Sequence, residues 1–144
     1  PLAQTMLHFA ARADHVAAVI RPALERGAVV ICDRYYDSTM AYQAYGLGVD
    51  IAYVACLVRL INLRPDITFM LEVPETTSKA RLASRGGLSD RYEQMGSDTM
   101  ARIAHGFRAI AASEPDRCVM IDSTKPVPAV AGEMREAIRQ RTGR

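Results

Sequence analysis

"GAVVICDRYYDSTMAYQAYG" runs from Gly27 to Gly46, and its reading sets the architecture. Ala28–Cys32 is a short, uninterrupted apolar run rich in β-branched residues, with Gly27 as a stop signal in front. That pattern predicts a strand covered on both faces, as in a parallel sheet. Ligands of open parallel sheets bind in the crevice beyond the carboxyl ends of the strands. Asp33, Arg34 and Tyr35 stand at such an end.

Outward from this stretch, helices and strands alternate. Upstream, Met6, Val16, Ile20 and Leu24 fall on one face of a helix predicted over Ala3–Arg26, with His8, Arg12 and His15 on another. Downstream, Ser38 is placed to cap a short helix ending at Gly46, and Asp50 to cap the next. "ITFMLEV" (Ile67–Val73) predicts a second strand and Cys118–Ile121 a third. A last helix is expected from about Pro128, with proline in its first turn. Alternation of this kind predicts an α/β domain built on a parallel sheet. The stretch from Ser84 to Asp98 has no apolar period and reads as a surface loop.

With 144 residues the chain suits one domain, 1–144, around a single core. The net charge of +2 does not point to nucleic acid or a membrane surface as partner. No apolar run nears the ~20 residues needed to span a bilayer, and no secretory leader is visible. Cys32, Cys56 and Cys118 lie far apart without CxxC spacing. Buried, reduced thiols at Cys32 and Cys118, in a cytoplasmic protein, are the expectation. Sixteen arginines stand against two lysines, Lys79 and Lys125. The arginine fork grips phosphate through two bonds, although codon usage also produces such a bias.

Three clusters carry chemistry. Asp33-Arg34 would serve as a surface ion pair, but Tyr35, Ser38, Thr39, Tyr42 and Gln43 follow within two turns. Thr39, Tyr42 and Gln43 stand at i, i+3 and i+4 of a helix, hence on one face. Together with the guanidinium they make a pocket for a base, a sugar and a phosphate. His8 and Arg12, one turn apart, are either a second part of such a site or a solvated face. Arg85 and Arg91 flank Gly86-Gly87, either as an ordinary exposed loop or as a lid whose charges neutralise a phosphoryl group in transfer. No three His, Cys, Asp or Glu residues have zinc-like spacing.

"LHFAARADHV", "PALERGAVVICDRYYDSTMAYQAYGLGVD", "RPDITFMLEV" and "SRGGLSDRYE" resemble bacterial thymidylate kinases, in the right order over nearly the whole chain. The most specific piece is "DRYYDSTMAYQ". The resemblance implies a P-loop NTPase-like α/β fold, a three-layer parallel sheet with helices on both faces. It also implies transfer of the ATP γ-phosphate to dTMP, with Mg²⁺, by a homodimer. It casts Arg12 and Thr39 toward the thymine with Gln43 beside them, and Tyr42 against the deoxyribose, where a 2′-hydroxyl would clash. Asp33 and Arg34 match the acid and arginine at the phosphate-transfer end, and Arg85 and Arg91 match the basic lid, near 84–98. Ser123, Thr124 and Lys125 match a loop near the adenine. Tyr35 and Ser38 complete the substrate-binding set.

Two departures stand out. The family usually has a phenylalanine four residues before the thymine-binding arginine; here that place is His8, with Phe9 next to it, and either ring is a candidate to stack on the base. No G-x-x-x-x-G-K-[ST] occurs in the 144 residues, and the first residue is Pro1 rather than Met. The expectation is a kinase whose N-terminal P-loop segment and first strands lie outside this chain, which alone would be inactive and loosely packed. The competing readings are a non-catalytic nucleotide-binding domain of the same fold and a kinase for another pyrimidine monophosphate.

Overall fold

The computed structural model describes residues 1–85 and 95–143. Its elements run α1 (Leu2–His15), a π-wound segment π1 (Val16–Ile20), α2 (Arg21–Glu25), α3 (Tyr36–Thr39), a second π-wound segment π2 (Met40–Gly46), and α4 (Ile51–Ile61). There follow β1 (Thr68–Glu72), α5 (Glu75–Arg85), α6 (Ser97–Ser113), β2 (Cys118–Asp122) and α7 (Val127–Thr142). They group into two compact units, one of residues 1–64 with 96–109, the other of residues 65–95 with 110–144. No helix among the described residues is long and apolar enough to cross a membrane.

The first unit is helical. The predicted helix over Ala3–Arg26 is present as α1, π1 and α2 in succession. Its π-wound middle has a local cause: Pro22 has no N–H to give and its ring crowds the carbonyl four residues back. A wider turn relieves that conflict. Gly27, at φ 79°, ends the run. Phe9, Val16, Ile20, Tyr36, Ala44, Val54 and Ile61 form the core, with Val30 and Leu57 packed against it. Asp50 caps α4 as expected, its carboxylate accepting from the N–H groups of Ala52 (2.7 Å) and Tyr53 (3.4 Å). Asn62, at φ 48°, closes the far end in the left-handed conformation, and Arg21 Nη2 donates to the Asn62 carbonyl at 2.7 Å.

Three expectations fail in this unit. Ala28–Cys32 belongs to no ladder, because no strand among the described residues lies beside it. Its side chains alternate instead of being covered on both faces: Val30 turns toward the core, while Val29 and Ile31 are 81% and 92% exposed. Cys32, predicted to be buried, is exposed for the same reason. Ser38 is not a cap either, since α3 already begins at Tyr36 and Ser38 is its third residue.

The second unit holds the sheet. β1 and β2 pair in parallel, Thr68 opposite Cys118 through Glu72 opposite Asp122. Met70 and Ile121 are buried, while their ladder partners Met120 and Leu71 are exposed, so the two buried side chains lie on opposite faces of the pair. Arg117, 2% exposed, grips Glu114 through two bonds of 3.0 and 2.9 Å and also donates to Thr68 Oγ1. A buried guanidinium is tolerable only when paired in this way.

Candidate functional site

The residues expected to hold substrate divide between the two units. His8, Phe9, Arg12, Asp33, Arg34, Tyr35, Ser38, Thr39, Tyr42 and Gln43 all belong to the first.

Arg12 is the centre of that group. From α1 its guanidinium donates to Thr39 Oγ1 (3.3 Å) and to the Tyr35 carbonyl (3.1 Å). It lies 5.1 Å from the centre of the Phe9 ring and 5.4 Å from that of Tyr35. Two aromatic faces and two acceptors therefore fix one planar cation. Burial pulls the Arg12 pKa down, against the opposing influence of Tyr35, Cys32 and Asp37; an arginine keeps its charge through such a shift.

The rings at 8 and 9 separate. Phe9 is 5% exposed within the core, so the side chain expected as a stacking candidate is packing material covered by Arg12. His8 is half-buried. Its pKa is lowered, first by burial and then by the charges of Arg12 and Arg34, which favours the neutral imidazole. Tyr35 likewise looks inward: its hydroxyl donates to the Leu63 carbonyl (3.3 Å), its ring tilts against Tyr36 at 4.8 Å, and burial raises its pKa.

Asp33 and Arg34 are exposed. Arg34 adopts φ 65°, the left-handed region that a residue with a Cβ rarely enters. That turn carries its guanidinium to 4.8 Å from the centre of the Tyr42 ring. Thr39 and Gln43 are buried, at 3% and 2% exposure, whereas Tyr42 and Ser38 are half-buried. The π winding of Met40–Gly46, a feature that often marks functional sites, is the local reason this helix departs from a simple i, i+3, i+4 face.

Met100, Ile103, Phe107 and Ile110 recur at core spacing, yet the helix that carries them, α6, touches the candidate site. Phe107 meets Tyr42 edge to face, ring centres 6.1 Å apart at 80°. Arg102 donates to the Gly46 carbonyl, the last of π2, from Nη2 (2.9 Å) and Nε (3.3 Å). Nothing in the sequence separates Phe107 from Ile103, buried at 3%, or Ile110, buried at 7%, because all three share one apolar period.

In the second unit, Arg85 closes α5, while its side chain and all of Arg91 lie outside the described residues, with most of the expected lid. The loop after β2 is internally tied. Asp122 accepts from the Thr124 N–H (2.9 Å) and hydroxyl (2.6 Å), Lys125 pairs with Glu133 (2.6 Å), and Arg81 Nη2 donates to the Ser123 carbonyl (2.8 Å). Those bonds hold the Asp122 pKa down and the Lys125 pKa up. Among the described residues no group of three His, Cys, Asp or Glu side chains is gathered as a metal site.

The sequence model of the thymidylate kinase family matches residues 1–134. The chain belongs to that family. It is 41% identical over 142 residues to the thymidylate kinase of Gluconobacter oxydans, covering 96% of this chain and 66% of that protein. It is 44% identical over 139 residues to the enzyme of Pseudomonas fluorescens, covering 95% and 66%. The crystal structure of thymidylate kinase from Ehrlichia chaffeensis superposes with a TM-score of 0.72 at 29% identity, covering 95% of this chain and 63% of that one. This chain therefore spans just under two thirds of the length of these relatives. The likeness bears out the α/β, P-loop NTPase-like fold class, with β1 and β2 as its parallel pair.

Proposed function

We propose that this chain supplies the dTMP-binding part of a thymidylate kinase, which transfers the γ-phosphate of ATP to dTMP to give dTDP. The observation that carries this is the Arg12–Thr39 link beside Tyr42 and Arg34 within one unit. It offers a guanidinium and a hydroxyl to the polar edges of a pyrimidine, a ring to the sugar, and a second guanidinium to phosphate.

In the first unit each role is argued from placement, and in the second from the family resemblance. Arg12 and Thr39, with buried Gln43 near them, recognise thymine, and Ser38 lines the same helix. His8, neutral and half-buried, is the ring offered to the base, since Phe9 is committed to the core and Tyr35 to Leu63. Tyr42 packs against the deoxyribose and excludes a 2′-hydroxyl. Arg34 grips phosphate oxygens and Asp33 orders the acceptor phosphate. Arg85 and Arg91 act from the lid, and Ser123, Thr124 and Lys125 border the adenine.

The donor set suits Mg²⁺ in one respect. This ion keeps most of its waters and takes one or two carboxylates plus substrate phosphates, and Asp33 is an exposed carboxylate next to Arg34. Bound there with ATP, Mg²⁺ would neutralise phosphate charge.

Function as a cytoplasmic homodimer, folded as one thymidylate-kinase-like domain and serving dTTP synthesis, belongs to the same proposal. With no G-x-x-x-x-G-K-[ST] in the 144 residues, the chain alone binds dTMP without transferring phosphate; that observation favours a nucleotide-binding module as the second reading. Calorimetric titration with dTMP and with its ribose counterpart tests the site. Binding of dTMP with a preference that Tyr42→Ala narrows is expected. Absence of dTMP binding removes the proposal. An assay of ADP release by the product of the whole gene separates the enzyme from the binding module.

A further inference from the structure

We propose that Phe107 is a positioning residue for the Tyr42 ring and, through it, sets how strongly the site prefers a 2′-deoxyribose to a ribose nucleotide. The inference rests on Tyr42 as the sugar-facing ring.

A tyrosine rejects a 2′-hydroxyl only if its ring cannot step aside. Two of the contacts on the Tyr42 ring are the Arg34 guanidinium over its centre at 4.8 Å and Phe107 edge to face at 6.1 Å and 80°. The first belongs to an exposed side chain, which phosphate would reclaim. The second comes from a helix seated firmly on π2. Arg102 caps the last carbonyl of π2 through two bonds and is itself braced on Thr99 Oγ1 at 3.0 Å. Gly46 admits Ile103 so closely that a Cβ would stand 2.6 Å from Ile103 Cγ1. Gly106 admits Tyr45, whose Cγ would lie 2.7 Å from such a Cβ.

These contacts come from Arg102, Ile103, Gly106 and Phe107, spaced at one and four residues on α6, so they share a side of that helix. Two missing Cβ atoms and a pair of hydrogen bonds to one carbonyl bring α6 against the helix that carries Tyr42. Phe107, one residue after Gly106, is delivered to Tyr42 by this seat. An aromatic pair of this geometry gains beyond simple area burial, so losing it would free the Tyr42 ring to move. Ile103 and Ile110 are buried, whereas Phe107 is half-buried and meets Tyr42.

The test compares wild type with Phe107→Leu, Phe107→Met and Phe107→Tyr, titrating each with dTMP and with ribothymidine 5′-monophosphate. Wild type should prefer dTMP. Phe107→Leu and Phe107→Met keep volume but lose the ring edge, and should narrow the preference about three- to tenfold. Phe107→Tyr keeps the ring and should retain the preference within about twofold. Circular dichroism melts accompany each titration. Unchanged preference in folded Leu and Met variants overturns the role of Phe107 while leaving the dTMP site standing. Narrowing by Phe107→Tyr as large as by Phe107→Leu also overturns it. Failure of both Leu and Met variants to fold assigns Phe107 to the core, again against the proposal. Wild type that binds dTMP without preference overturns it together with the sugar-facing role of Tyr42, and wild type that does not bind dTMP removes the site as well.

Discussion

The Arg34 guanidinium lies 4.8 Å from the centre of the Tyr42 ring, brought there by a backbone at φ 65°. The groups assigned to the phosphate and to the sugar thus touch each other in the protein alone. A left-handed conformation costs a side chain with a Cβ about 1–2 kcal/mol, and the fold sustains it at an exposed position.

Replacing Arg34 separates strain from function. Arg34→Gly removes the Cβ that makes φ 65° unfavourable, while the greater freedom of the unfolded chain costs folding about 0.5–1 kcal/mol. It should melt within a few degrees of wild type. Arg34→Lys keeps the charge but not the fork, and in the product of the whole gene should lower kcat by about two orders of magnitude. Steady-state kinetics check this; a Lys variant close to wild type would place Arg34 outside the reaction.

Arg12 can be tested for a structural and a binding role in one variant. Arg12→Met should cost about 1–3 kcal/mol in urea unfolding, because the buried Thr39 hydroxyl and the Tyr35 carbonyl lose a charged donor. The same variant should lose most dTMP affinity by calorimetry. Stability lost without loss of affinity would confine Arg12 to packing.

Asp50 and β2 were legible because their signals are local: a carboxylate ahead of an apolar stripe, and a short β-branched run. Ala28–Cys32 carries an equally clear run, yet burial of Val29 and Ile31 depends on a neighbouring strand, which no residue within the run reports. The π winding at Met40–Gly46 escaped for another reason: reading faces at 3.6 residues per turn assumes the α-helix it sets out to find. The candidate site was named at Arg12, Thr39 and Tyr42 through resemblance, and the structure joins Arg12 to Thr39. Choosing between His8 and Phe9 required knowing which ring the core takes.

His8 makes stability depend on pH with a definite sign. Its folded pKa lies below 6.5, chiefly through burial, so on acidification the unfolded chain takes up the proton first. The His8 contribution is full above pH 6.5, falls as pH drops toward the folded pKa, and levels off below it. Urea melts between pH 8 and pH 5 should show this slope reduced in His8→Phe. An equal slope in both proteins would rule out His8 as its source.

Gly106→Ala tests the seat of α6. The added Cβ would stand 2.7–2.9 Å from Tyr45 Cγ, Cβ and Cδ2, the stiff root of that side chain. Overpacking of this kind costs about 1–3 kcal/mol, read as a lower thermal midpoint. At Gly132, where the only near atom is Arg135 Nη2 at 4.0 Å, alanine should leave the midpoint unchanged or raise it.

Val29 and Ile31 bear on how the protein behaves in the tube. Two β-branched side chains stand in water on an extended segment that no described strand pairs with. Such a segment is a template onto which a second molecule can add its own strand. Self-association should therefore rise steeply with protein concentration and fade on dilution, visible as a growing hydrodynamic radius in light scattering. A single lysine at position 31 would break the template without touching the core, since only Val30 of this trio faces inward.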